Sequence, residues 1–249
     1  LTVPISSETF NPEVIARFLR ICGGLSAEQL ARMVPKIRDE KWVQLMAGFG
    51  LDYFDFERML NVLSEARDDV SMIALAQAML TVRVHSEVEQ SPYERDGFFC
   101  INDIEESSVF ERLASVSNER VKSALRVVID ATASLGGVSD DGFFKMRESF
   151  SLYDVDFFTL KFSKDRHGRG CERDLIVAAT TLVTKALSEL YTNPVEAKKL
   201  FDEFIEPLPD SRTMWRFRLF VWSLCPSVFK TELRNAFFQL VEHAESSFS

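Results

Sequence analysis

Between positions 161 and 173 the chain gathers Lys161, Lys164, Arg166, His167, Arg169 and Arg173, with Gly168 and Gly170 among them. Cationic side chains beside glycines, just ahead of a helix start, make an anion-friendly geometry, because bare backbone amides can approach a ligand there. The chemistry on offer is capture of a phosphate, a nucleotide or an acidic protein segment. The pattern stops short of a phosphate loop or a dinucleotide fingerprint, since Gly168-Arg169-Gly170 lacks the remaining spacing. Glu172 and Asp174 also stand where the anion would go and would already answer the helix dipole. The competing reading is a solvated loop.

Covalent and metal chemistry find less support. His167 and Cys171 are four apart, but a nucleophile needs a base and a third orienting group, and His85 and His243 lie at no readable spacing. Cys22, Cys100, Cys171 and Cys225 form no Cys-x-x-Cys, which argues against structural zinc. Asp154-Val155-Asp156 opens like a calcium loop, yet Phe158 occupies the fifth position and Thr159 the place of the required glycine. Glu105-Glu106 and Asp140-Asp141 read as solvated or helix-start charges. No catalytic residue, metal or cofactor is expected. Trp215-Arg216-Phe217-Arg218 interleaves aromatics with arginine, as single-strand binders do. Trp215, Leu219 and Trp222 recur on one helical face, however, and so read as core, leaving Arg212 and Arg216 for an acidic surface. The candidate binding residues are therefore Lys164, Arg166, His167, Arg169, Arg173, Arg212 and Arg216.

The elements that must position these residues read as helices throughout. Asn11-Pro12-Glu13 and Asn193-Pro194-Val195-Glu196 each combine a cap, a first-turn proline and an acid facing the dipole. The first starts a helix whose stripe is Val14, Ile15, Phe18, Leu19 and Cys22, ended at Gly23-Gly24 by a left-handed glycine. Ser26 with Gln29 makes a capping box, and Pro35 is expected to kink or end the helix that follows. Periodic stretches at 52–66, 69–84, 107–115, 118–135, 139–150, 175–190, 194–206, 211–224 and from Pro226 onward complete the series. In the last helix Phe229, Leu233, Phe237, Leu240 and Ala244 are expected to face inward. Only 152–162 reads as a short strand or an aromatic helical turn. The stretch 175–190 is the most apolar helix and is expected to lie at the centre.

The fold class is all-α, a multi-helix globular domain of roughly ten helices, arranged as one body, two helical lobes or stacked helical hairpins. An N-terminal lobe over 1–90 and a C-terminal lobe over 107–249 would be joined by the acidic segment 91–106, whose Phe98, Phe99 and Ile101 should lie against the body. Gly23-Gly24-Leu25-Ser26 and Gly136-Gly137-Val138-Ser139 align without gaps, which raises duplication against the plainer reading of a helix stop followed by a helix start.

Composition narrows the function class. With 38 acids against 29 bases the chain carries a net charge of −9, which repels nucleic acid and anionic membranes at long range. The apolar run 175–187 contains Lys185 and threonines and is shorter than the roughly 20 residues a membrane crossing needs. Sparse cysteine points to a reducing, intracellular and cytoplasmic setting. The 22 phenylalanines against 10 glycines and 8 prolines imply long elements and short turns. The chain begins at Leu1, so it reads as part of a larger protein or assembly. The expected function is a non-catalytic α-helical protein–protein interaction or scaffold module with a protein partner. The alternatives are a nucleic-acid or phosphate-ligand binder using loop 161–173, or a helical enzyme whose site is scattered in sequence.

Overall fold

The computed structural model describes residues 11–46, 49, 51–84, 97–136, 162, 171–208 and 212–246. Among them are eleven α-helices: α1 Pro12–Cys22, α2 Ala27–Asp39, α3 Trp42–Leu45, α4 Tyr53–Glu65, α5 Asp69–Met79, α6 Val109–Ser115, α7 Val121–Gly136, α8 Cys171–Leu190, α9 Pro194–Phe204, α10 Arg212–Leu224 and α11 Lys230–Ser246. The fold is all-α, with one two-stranded antiparallel ladder, β1 Val82–Val84 against β2 Gly97–Phe99.

Local signals set the helix starts. The Asn11 side chain accepts from the amides of Glu13 and Val14, and Asn193 accepts from that of Glu196, satisfying amides that have no intrahelical partner. Ser26 and Gln29 form the reciprocal capping box at α2.

Several helix ends depart from expectation. α2 runs through Pro35 to Asp39 instead of breaking there. An internal proline costs about 3 kcal/mol, whereas full burial of Val34 and Ile37 on either side contributes roughly 3–6 kcal/mol. α5 stops at Met79 and not at 84, because the β-branched Thr81, Val82 and Val84 favour the pleated conformation, and Val82, Arg83 and Val84 pair with Phe99, Phe98 and Gly97. α11 opens at Lys230, four residues later than Pro226 suggests; the intervening turn is closed by the Val228 and Phe229 amides donating to the Cys225 carbonyl. The expected helix at 139–150, the aromatic stretch 152–161 and the second Gly-Gly copy beyond Gly136 lie outside the described residues.

Gly23 closes α1 in the right-handed region, at φ −62 and ψ −13, so the left-handed role assigned to it does not apply. Left-handed residues instead follow α2 at Lys41, at φ 53, and α4 at Arg67, at φ 56; at Arg67 the end is a full motif. There the Arg67 amide donates to the Ser64 carbonyl and the Asp68 amide to that of Leu63, the paired bonds of a Schellman end. Gly23 is instead a close-approach position against α4. A Cβ added to it would sit 3.4 Å from the Asp55 carbonyl oxygen and 3.6 Å from Arg58 Cβ, which is ordinary contact.

The buried apolar side chains from Ile15 to Ala236 form one cluster. α8 is its axis: Leu175, Ile176, Val177, Ala178, Ala179, Leu182, Val183, Ala186 and Leu187 are all buried, and α6, α7, α9 and α10 pack around it. Its hydroxyls are satisfied locally, Thr180 and Thr181 both donating to the Val177 carbonyl. Lys185 donates to the Val116 carbonyl where α6 ends. On the other side α2 and α4 pack against α5, and α1 against α4.

The two halves of the chain are clamped by a polar network that no local motif announces. The Glu57 carboxylate on α4 accepts from Ser107 Oγ at 2.9 Å, the Ser108 amide at 2.9 Å and Ser108 Oγ at 2.6 Å, and so caps α6 from outside its own segment. Arg112 donates to Ser108 Oγ and to Asn61. Tyr53 donates to Glu106 at 3.1 Å, and the Asn102 amide donates to the Leu51 carbonyl at 2.9 Å. With Phe99, Ile101 and Ile104 buried, the second half of the acidic segment lies against the body as its apolar residues required. Residues 85–96 are outside the described set.

Two stability experiments test this account. Glu57→Ala leaves three donors without their acceptor and should lower unfolding free energy by about 2–3 kcal/mol in denaturant titration. Gly23→Ala and Arg67→Gly should each raise it by about 0.4–1 kcal/mol, because alanine suits the right-handed position and glycine the left-handed one.

Candidate functional site

Lys161, Lys164, Arg166, His167 and Arg169 lie outside the described residues. Arg173 stands exposed in the first turn of α8. Arg212 opens α10, and Arg216 is half-buried one turn later. α8 and α10 pack together, so Arg173 and Arg216 belong to neighbouring helices. Arg218, the second arginine of the Trp215-Arg216-Phe217-Arg218 run, does not join them at the surface. Arg218 is only 7% exposed, its guanidinium donates to the Glu206 and Leu208 carbonyls beyond α9, and it lies 5.3 Å over the Trp215 ring. A guanidinium buried to this extent and turned toward carbonyls is not presented to a phosphate.

The aromatic interleaving on α10 is absorbed by packing. Met214 and Phe217 are fully buried, Trp222 is buried against Phe201 at 5.7 Å, and Phe201 meets Phe229 at 5.1 Å. Cys22, Cys100 and Cys225 are buried, and burial pushes the Cys22 and Cys225 thiols above their ordinary value. Such thiols are poor nucleophiles. Among the described residues no group of three or more His, Cys, Asp or Glu is placed to hold a metal ion, and no helix is long and apolar enough to cross a membrane.

The outward face of α1 was missed by the sequence reading. Ile15, Leu19 and Cys22 are buried, but Val14 is 46%, Phe18 43% and Ile21 62% exposed, correcting the expectation that Val14 and Phe18 belong to the core stripe. At 3.6 residues per turn positions 14, 18 and 21 share one side and positions 15, 19 and 22 the next. Six apolar residues therefore cover an arc wider than one core contact can bury, and that width was the available signal. Phe18 is steadied by an edge-on contact with Trp42, ring centroids 5.9 Å apart. Arg17 and Arg20 flank the stripe, both exposed and outside the ion pairs formed among the described residues. Phe237, expected inward on α11, is likewise 64% exposed, because the rotation that buries Phe229 and Ala236 turns it out.

Two concavities lie among the described residues. Along α9, Pro194, Val195, Lys198, Lys199, Asp202, Ser227 and Val228 line a groove of about 450 Å³. Its charges are spent internally: Lys198 pairs with Asp202 at 2.5 Å and Glu232 at 3.2 Å, and Lys199 with Glu196 at 2.6 Å. Burial pulls the Lys198 ammonium down, but its hydrogen bonds to Asp202 and Glu232 outweigh this and leave it above its ordinary value. The Lys199 hydrogen bond holds the Glu196 carboxyl below the ordinary range. A smaller cleft of about 230 Å³ lies between the end of α5, β1 and α7. It is lined by Leu80, Val82, Val127 and Ala131 with Gln77, Thr81, Asp130 and Ser134.

Burial raises the Asp130 carboxyl above its ordinary value, with the Arg126 guanidinium acting in the opposite direction. The folded state then holds this proton more tightly than the unfolded chain, so ionisation above the carboxylate range lowers stability. Asp130→Asn should raise the melting temperature slightly at pH 7, and the gain should vanish toward pH of about 3, where Asp130 is protonated in the folded and unfolded chain alike. Melting curves at the two pH values check the sign.

Comparison with protein-family models, characterised proteins and solved structures returns no match, so any functional reading rests on this geometry alone.

Proposed function

We propose that the chain is a non-catalytic α-helical interaction module that docks through the outward face of α1 into a partner protein's apolar groove rimmed by carboxylates. The supporting observation is Val14, Phe18 and Ile21 standing exposed at i, i+4 and i+7, the spacing of anchors on a helix laid into a groove. The rim follows from charge. Arg17 and Arg20 border the stripe on a chain of net charge −9, so this face offers cations where the molecule as a whole offers anions. Three anchors contribute less than the roughly 800 Å² per partner of a standard interface, which fits a module that works as part of a larger assembly. A stripe of this kind needs no cofactor.

The reading is tested by capture from the native source followed by titration of the purified partner. Phe18→Ser/Ile21→Ser should bind at least about 100-fold more weakly, from the loss of two apolar anchors, with the helical circular-dichroism signal retained and only a small fall in melting temperature from the lost Phe18–Trp42 contact. Arg17→Glu/Arg20→Glu should weaken binding and flatten its salt dependence. If wild type and the Phe18/Ile21 variant retain the same proteins with the same affinity, α1 is not the docking face.

A further inference from the structure

We infer that the cleft between α5, β1 and α7 is a binding site for a primary alkylammonium group, the apolar chain lying on its floor and the charge meeting Asp130. The floor is rigid and apolar, for Leu80, Val127 and Ala131 are buried members of the core. Its rim is one-sided in hydrogen-bonding character. Thr81 Oγ1 donates to the Ala78 carbonyl at 2.7 Å and Ser134 Oγ to the Asp130 carbonyl at 2.8 Å, so both hydroxyls turn only lone pairs toward a ligand. The Asp130 carboxylate is acceptor-only when ionised, and the Gln77 amide can present its oxygen. A rim of acceptors calls for a ligand rich in donors, and an ammonium supplies three.

Charge points the same way. The nearest cation to act on Asp130 is Arg126, whose guanidinium is already bonded to Glu203 at 2.5 Å and stacked 4.1 Å over the Phe204 ring. The Asp130 carboxylate is exposed at the mouth of the cleft and joins no ion pair among the described residues, so it is open to an incoming cation. Size sets the class. A volume of about 230 Å³ holds roughly seven or eight water-sized groups at about 30 Å³ each, enough for a five- or six-carbon amine and too little for a nucleotide. The same group exists as a free amine and as the end of a lysine side chain, and the experiment separates them.

Uniformly 15N-labelled protein is titrated with n-pentylammonium chloride at constant ionic strength, with n-pentanol as the uncharged control and Nα-acetyl-lysine N-methylamide as the side-chain arm. Saturable shifts are expected at the Leu80, Val82, Val127 and Ala131 amides, with Asp130→Asn and n-pentanol each binding at least about 10-fold more weakly. Capped lysine binding within about 10-fold of n-pentylammonium assigns the site to a lysine side chain; weaker binding assigns it to a free amine. Absence of saturation below about 20 mM, or equal affinity for n-pentanol or in Asp130→Asn, overturns the proposal. The variant removes a carboxylate that burial disfavours, so loss of binding will not reflect unfolding.

Discussion

Burial of α8 is the constraint on which the other helices depend. A helix whose apolar side chains cover more of its circumference than one neighbour can bury needs several helices packed on it, and α8 leaves a polar strip with Thr181, Thr184, Ser188 and Glu189 to solvent. α6, α7, α9 and α10 supply that packing. Donors on α8 find nearby acceptors: Thr180 and Thr181 use the Val177 carbonyl, and Lys185 reaches the end of α6 at Val116. An unpaired ammonium in that position would cost several kcal/mol.

Around this axis, charged side chains are used repeatedly to finish helix ends they do not belong to. Glu57 caps α6 from α4, Lys185 caps α6 from α8, and Arg218 caps the segment after α9 from α10. These contacts tie elements that are distant in sequence, and they also withdraw charges from the surface. Arg218 illustrates the consequence: it looks like part of a basic face in the sequence and is a buried strut in the fold. Function is therefore more readable in side chains the fold leaves unused, Val14, Phe18 and Ile21 on α1 and the Asp130 carboxylate over its cleft. The first set suits a protein groove and the second a small donor-rich ligand, and they lie on different elements.

What the sequence by itself determined is local. Asn11-Pro12, Ser26 with Gln29 and Asn193-Pro194 specify helix starts through bonds spanning two or three residues, and α8 is legible because burial follows from an apolar circumference. What only the tertiary structure decided depends on partners far along the chain. The ladder of β1 with β2 joins segments too short to declare themselves, and α2 continues through Pro35 because Val34 and Ile37 find a core. Nor does residue type decide the helix ends: α1 closes on Gly23 in right-handed geometry, while α4 closes through a left-handed Arg67. The same division holds at the candidate sites. Periodicity assigns Val14 and Ile15 to one broad stripe, and only the placement of α4 determines which of them is covered. A cleft shared by α5, β1 and α7 has no sequence signature at all, since its lining is brought together across more than fifty residues by packing.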